Sequence, residues 1–218
     1  NSTYRGASYD LGTFMSKGLH LRAFRDYCQA TMVESKPLNM DEDNIASEYR
    51  DFDGWTIHRK RAWVALMCLC HYDYIDFTIY PYCETGNEDS QRGIRSWMKY
   101  LSEFIHGCDL ASLRPAPDWL KEQPENPLGV VLAHEAVEYI IYLADEREIS
   151  APGAGEIIRG ELAFDLPDGT YTVSMYSPQT GLYSPGVIIE GGADRQFSLP
   201  GFQHDCVVAV YPSGLPQP

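Results

Sequence analysis

The stretch that decides the fold of the first half of this chain is Lys36-Pro37-Leu38-Asn39-Met40-Asp41-Glu42-Asp43. We predict a short strand over residues 36–40, which ends abruptly where the carboxylates begin. The polar residues that continue to Gly54 predict a long loop rather than a further element. The sequence thus places a cluster of acids directly after a strand.

Helical patterns lie on both sides of this strand. Leu21, Phe24, Cys28 and Met32 recur at intervals of three and four residues, which is the spacing of an amphipathic helix. The predicted order of elements is a helix over 19–34, a strand over 36–40, a helix over 55–70, a strand over 71–80 and a helix over 90–106. This alternation implies parallel strands joined by crossover helices, as in an α/β fold.

The second half of the chain has a different character. Prolines recur between residues 112 and 127 and predict a semi-rigid connector. Short β-type runs separated by turn residues follow at 129–133, 138–143, 160–166, 170–176, 186–190, 196–199 and 206–211. Runs of this length and spacing predict a small antiparallel β-sandwich, that is, an all-β domain. We therefore divide the chain into an α/β segment at 1–115, a Pro-rich linker at 116–127 and a β-sandwich at 128–218.

Composition restricts the partners. The formal net charge is -14 at pH 7, which argues against nucleic acid or an anionic membrane as the main partner. No apolar run reaches the length of about 18 residues that a membrane-spanning helix needs. We expect a neutral or cationic partner.

The six cysteines are interpreted mainly as core thiols, because the chain has enough apolar residues to fold without disulfides. The run Cys68-Leu69-Cys70-His71 lacks the Cys-x₂₋₄-Cys spacing of structural zinc sites, and no second pair follows it. We predict no metal and no cofactor.

Two sets of residues resemble a known family. The run 169–181, Leu199-Pro200 and Asp205-Cys206-Val207-Val208 resemble the β-sandwich named as a collagen-binding domain, which closes many bacterial glycoside hydrolases, including apiosidase-like enzymes. In those enzymes the sandwich follows a (β/α)₈ barrel. Residues 36–43 are similar to the seventh strand of that barrel, Arg61-Ala62-Trp63 to the next helix, residues 71–77 to the eighth strand and residues 9–14 to the sixth.

The resemblance implies a partial (β/α)₈ barrel followed by the sandwich, in a secreted protein that is extracellular or periplasmic. It also implies the C-terminal portion of a retaining glycosidase acting on a polysaccharide or oligosaccharide. Catalytic groups of such barrels stand at the carboxyl ends of strands, and retention needs one carboxylate to attack the anomeric carbon. The resemblance assigns Glu42 as that nucleophile.

Further polar residues lie at the same two strand ends. They are predicted to bind substrate: Asp41, Asp43, His71, Tyr72, Asp73 and Asp76. Two other readings stay open for these residues. In one, the acids form a solvated loop or a casual cation site; in the other, His71, Tyr72, Asp73 and Asp76 serve barrel-interior packing or structural hydrogen bonding. Calcium is the weaker alternative, because 41–48 lacks the glycine and spacing of an EF-hand loop.

The length leaves the assembly open. A full barrel takes about 250 residues, and residues 1–115 are fewer than half of that. The family's general acid/base lies on an earlier strand, upstream of this sequence. We expect a fragment, one piece of a split enzyme, or a half-barrel that self-associates or pairs with a partner chain. The alternative function is a non-catalytic assembly or carbohydrate-binding protein, with exposed Tyr171, Tyr176 and Tyr183 as stacking residues.

Overall fold

The computed structural model describes residues 20–32, 37–40, 51–147, 149 and 151–215. Its helices are α1 (His20–Thr31), α2 (Phe52–Met67), α3 (Glu88–Ser90) and α4 (Ser96–Gly107), with a π-helical turn at Gln91–Arg95 between the last two. Its strands are β1 (Asn39–Met40), β2 (His71–Tyr72), β3 (Arg114–Pro115), β4 (Leu120–Glu122), β5 (Pro127–His134), β6 (Glu138–Asp145), β7 (Ile158–Ser177), β8 (Leu182–Tyr183), β9 (Val187–Phe202) and β10 (Asp205–Pro212). Within these ranges, no helix has the length and apolar character that crossing a bilayer requires.

The described residues fall into two compact units. The first runs up to Met98 and includes Glu146–Ala154, and the second comprises Lys99–Asp145 with the residues from Gly155 onward. The first holds β1, β2 and helices α1 to α3, and the second holds the eight strands β3 to β10. The division lies within α4.

Helix α2 begins three residues earlier than predicted. Asp51 has extended backbone angles, and its side chain accepts a hydrogen bond from the Gly54 backbone at 2.9 Å, which is the geometry of an N-cap. Every residue from Gly54 to Ala65 is buried, so the helix has no solvent-facing side there. Its basic run is buried too, and the guanidinium carbon of Arg59 lies 4.2 Å from the centre of the Trp97 ring.

Two predicted elements of the first unit are shorter or broken. Strand β2 covers only His71–Tyr72 of the predicted 71–80, and further along the Asp76 side chain accepts a hydrogen bond from the Thr78 backbone, which turns the chain within the predicted strand. The helix predicted over 90–106 is interrupted at Gly93, whose φ of -93° and ψ of -110° are not helical. A Cβ atom at Gly93 would lie 2.9 Å from the Trp55 ring, which explains why a glycine stands there.

The strands of the second unit form one antiparallel sheet in the order β3-β5-β6-β10-β7-β4, and β8 and β9 also pair with β7. Several predicted strands are continuous in the structure. The turn signal at 167–169 lies inside the 20-residue strand β7, where three residues face one residue of β9 and the register shifts. The prediction of antiparallel β structure is therefore correct, but runs 160–166 and 170–176 belong to one strand, as do 186–190 and 196–199, and strands β3, β4 and β8 were not predicted.

The predicted linker contributes to the sheet and to its core. Strand β4 pairs with β7 through Leu120 and Phe164. The Trp119 ring is stacked between those of Tyr139 and Phe164, with centroid separations of 4.5 and 4.7 Å and interplanar angles of 15° and 12°. Residues 116–127 thus take part in the packing of the second unit, and the three-part division of the chain stays a prediction.

Candidate functional site

The carboxyl ends of β1 and β2 lie side by side. The strands are parallel, with Asn39 opposite His71 and Met40 opposite Tyr72. The ladder continues past both strands, since the Asp73 backbone donates a hydrogen bond to the Met40 carbonyl at 3.1 Å. The prediction of neighbouring parallel strands is confirmed for this pair, and Met40 lies beside Asp73.

The structure describes some of the predicted site residues, and those differ in how exposed they are. Asp41, Glu42 and Asp43 lie outside the described residues. His71 and Asp73 are exposed, whereas Tyr72 is half-buried and Asp76 is buried. The described part of the site therefore brings one carboxylate, that of Asp73, to the surface next to the end of β1.

A buried aromatic layer supports β2. The Tyr72 hydroxyl lies 2.8 Å from Nδ1 of His58, and the Tyr74 ring meets the His58 ring edge-on with centroids 4.7 Å apart. Burial raises the pKa of Tyr74, and the nearby Asp76 charge raises it further. A hydrogen bond with Trp55 lowers the pKa but does not outweigh these two effects. Tyr74 therefore stays a neutral phenol. Sequence reasoning missed His58 and Trp55, because a residue inside a helical pattern carries no mark of the strand that it will support.

Asp76 fixes the loop that follows β2. Its Oδ1 atom accepts hydrogen bonds from the Thr78 backbone at 2.9 Å and the Thr78 hydroxyl at 2.7 Å, and its Oδ2 atom accepts from the Ser90 hydroxyl at 2.6 Å. Burial raises the pKa of Asp76, but these bonds and the Arg95 guanidinium, 3.8 Å away, outweigh burial and the net pKa is lowered. Asp76 is thus an ionised group that holds both ends of residues 77–90.

The three tyrosines considered for sugar stacking lie in the second unit. Tyr171 and Tyr176 are buried, so the prediction that they are exposed is wrong. The Tyr176 hydroxyl donates to the Tyr100 carbonyl at 2.9 Å, and the Tyr176 ring packs against Phe104, with centroids 4.9 Å apart. Tyr183 is half-buried in the same cluster. These residues are core groups of the unit.

A cleft of about 300 Å³ opens beside this cluster, and its wall includes Tyr183, Phe202 and Asp205. Its polar groups are engaged within the protein, since Tyr142 donates to Asp205 at 3.0 Å and Gln203 donates to the Gly155 carbonyl at 3.0 Å. Within the described ranges, no group of three or more His, Cys, Asp or Glu side chains is placed to hold a metal ion.

Comparisons with known proteins find similarity in structure alone. No protein-family model and no curated protein matches the sequence. A solved structure described as a glycoside hydrolase superposes with a TM-score of 0.55 at 13% identity, covering 77% of this chain and 38% of that one. A family 5 glycoside hydrolase from Bacteroides vulgatus gives 0.52 at 11% identity, with 75% and 38% covered.

A family 30 endoxylanase from Clostridium papyrosolvens has a TM-score of 0.46 at 13% identity, with 76% of this chain and 40% of that one covered. The chain spans well under half the length of these proteins. The first two likenesses show that its fold is glycoside hydrolase-like.

Proposed function

We propose that this chain is the C-terminal portion of a secreted retaining glycoside hydrolase that acts on a polysaccharide or oligosaccharide. The parallel ladder that sets Met40 beside Asp73 supports the proposal, because the carboxyl ends of parallel strands carry the reacting groups of barrel hydrolases. The glycoside hydrolase-like fold supports it independently. The apiosidase-like subclass and the sandwich nature of the second unit belong to this proposal.

Glu42 is the nucleophile in this proposal, two residues beyond the end of β1. It attacks the anomeric carbon, the glycosidic bond breaks, and a second carboxylic acid protonates the departing oxygen. Water then cleaves the glycosyl ester and restores both groups. Asp41, Asp43, His71 and Asp73 hold sugar hydroxyls, while Tyr72 and Asp76 contribute by fixing β2 and its loop.

Covalent trapping tests this assignment. The intact protein is incubated with activated 2-deoxy-2-fluoro glycosides, which form long-lived esters with retaining nucleophiles, and the labelled peptide is sequenced by mass spectrometry. We expect the label on Glu42 and loss of aryl glycoside turnover in Glu42→Gln. A label on another residue, or unchanged turnover in Glu42→Gln, contradicts the assignment.

The second candidate is a non-catalytic assembly protein or carbohydrate-binding protein, and exposed apolar residues on β9 favour it. Val187 and Ile188 are 49% and 59% exposed and point to opposite faces of β9, which among the described residues pairs with β7 alone, and an edge strand with exposed apolar side chains is a site for pairing with another chain. Sedimentation velocity compares the wild type with Ile188→Lys. Concentration-dependent association that this variant abolishes supports assembly through β9, and a monomer at every concentration contradicts it.

A further inference from the structure

The loop of residues 77–90, which the hydrogen bonds of Asp76 hold in place, contains a tight turn, Tyr80-Pro81-Tyr82-Cys83. The Cys83 backbone donates a hydrogen bond to the Tyr80 carbonyl at 2.8 Å, which closes the turn. Pro81 at the second position and a positive φ at the third are the features of a type II turn. The third position normally takes glycine, yet here it is Tyr82, with φ of 73°.

A tyrosine at this position has a cost, because the left-handed conformation brings its Cβ close to the backbone. Such strain persists only where the surroundings fix the conformation. Here they do: the Tyr82 backbone donates to Glu84 Oε1 at 3.2 Å, and the Thr78 hydroxyl accepts from the Asn87 backbone at 3.0 Å. The loop is thus built to hold an unfavourable residue at its tip.

Packing does not explain the tyrosine. Its side chain is 98% exposed, and that of Tyr80 is 61% exposed. An aromatic ring in water at a strained position is a feature of binding surfaces rather than of cores. The turn also belongs to the loop after the carboxyl end of β2, on the segment where an α/β fold carries its binding groups.

We infer that the Tyr82 ring is a stacking platform for an uncharged sugar unit of an oligosaccharide. The C–H groups on one face of a pyranose carry slight positive charge and pack on the negative face of an aromatic ring. Glu84, at the base of the turn, offers carboxylate oxygens to sugar hydroxyls and disfavours anionic sugars. The inference deepens the proposed function and rests on its carbohydrate substrate class.

Calorimetric titration tests it. The full chain carrying Glu42→Gln, which prevents turnover, is titrated with cellohexaose, xylohexaose and mannohexaose. For the hexaose that binds tightest, adding Tyr82→Ala weakens affinity by at least about tenfold. Tyr82→Phe and the matched control Ile79→Ala, which removes a 42% exposed apolar side chain of the same loop, stay within about twofold of the parent.

Tyr82→Gly separates binding from folding. Glycine suits the positive φ, so this variant unfolds at a higher temperature than Tyr82→Ala while its sugar affinity is just as low. Binding that survives Tyr82→Ala, or binding of none of the three hexaoses, overturns the inference. If Glu42 is labelled in the trapping experiment but Tyr82→Ala leaves the sugar affinity unchanged, this inference alone is overturned. Binding that depends on Tyr82, together with a wild-type protein that forms no covalent intermediate at Glu42 in the trapping experiment, leaves this inference standing and overturns the assignment of Glu42 as nucleophile.

Discussion

The Tyr72 hydroxyl and Nδ1 of His58, 2.8 Å apart, join strand β2 to helix α2. Tyr72→Phe removes this hydrogen bond and leaves a buried imidazole nitrogen without that contact. We expect a loss of about 1 kcal/mol in the free energy of unfolding, measured by urea denaturation followed by circular dichroism. Tyr80→Phe, at a largely exposed ring, is the control and has no measurable effect. Equal stability of the two variants would show that the contact does not matter.

Asp76 makes stability depend on acid pH. Because its pKa is lowered in the folded state, its contribution is fully present above the ordinary carboxyl pKa of 3.8 and is lost as the pH falls through the lower folded value. Asp76→Asn turns one acceptor into a donor that faces another donor, which costs about 2 kcal/mol at pH 7. The gap between the wild type and Asp76→Asn narrows below pH 3.8 in urea titrations. A stability difference between the wild type and Asp76→Asn that is constant with pH contradicts this account. Asp73→Asn, at an exposed carboxylate, serves as the control.

Gly86 is held against the same carboxylate. Its φ is 72°, and a Cβ atom would lie 2.6 Å from Ser90 Oγ and 2.7 Å from Asp76 Oδ2. Gly86→Ala therefore adds steric overlap to left-handed strain and costs about 3 kcal/mol. Gly214→Ala, where φ is 93° and the described residues, apart from the two chain neighbours, place no atom within 4 Å of a Cβ, costs only the strain of about 1 kcal/mol. Thermal unfolding of the two variants distinguishes overlap from strain, and equal losses would contradict the crowding at Gly86.

Trp119 tests the part played by the predicted linker. Trp119→Ala removes a ring stacked on two others and lowers the free energy of unfolding by about 3 kcal/mol. Trp119→Phe keeps most of the stacking and loses about 1 kcal/mol. Urea denaturation gives both values. A passive linker would instead tolerate alanine without loss.

Thiol labelling follows burial. Cys28, Cys68, Cys70 and Cys206 are buried, and burial raises the pKa of Cys206 well above its ordinary value. Cys108 is partly exposed, but burial and the neighbouring Glu138 raise its pKa. We expect Cys83 to react first with iodoacetamide at pH 8, and the buried thiols only after denaturation. Peptide mapping by mass spectrometry gives the order, and early labelling of Cys28 would contradict it.

The sequence predicted elements best where the pattern is local. Helix α1 and the parallel pairing of the predicted strands 36–40 and 71–80, which the structure has at residues 39–40 and 71–72, follow from spacing and from the order of elements. The predicted strand was too long at its far end because the Asp76 side chain accepts a hydrogen bond from the Thr78 backbone, which turns the chain, and propensity does not detect that bond. The turn signal at 167–169 was overread because glycine and proline mark bulges as well as turns.

The candidate site was predictable only in outline. The order of elements predicted that β1 and β2 are parallel neighbours, which sets Asp73 beside Met40, but the function of the polar residues at these strand ends stays a prediction. Tyr171 and Tyr176 were misjudged because this part of β7 is buried on both faces: Tyr171 packs in the core of the sheet and Tyr176 packs against Phe104, and the sequence pattern does not reveal the second contact. Tyr82 was missed because the positive φ that makes it unusual is a property of the folded backbone, and the letters Pro81-Tyr82 do not reveal it.

The order of strands in the second unit has a consequence for synthesis on the ribosome. Strand β6 is buried along its whole length and lies between β5 and β10, yet β10 begins about 60 residues after β6 ends. At about 5–20 residues per second, translation leaves the backbone N–H and C=O groups along one edge of this apolar strand unpaired for several seconds. The nascent chain therefore passes through a stage in which a chaperone that binds extended apolar segments can bind β6. The sheet is completed only when β10 has emerged from the ribosome.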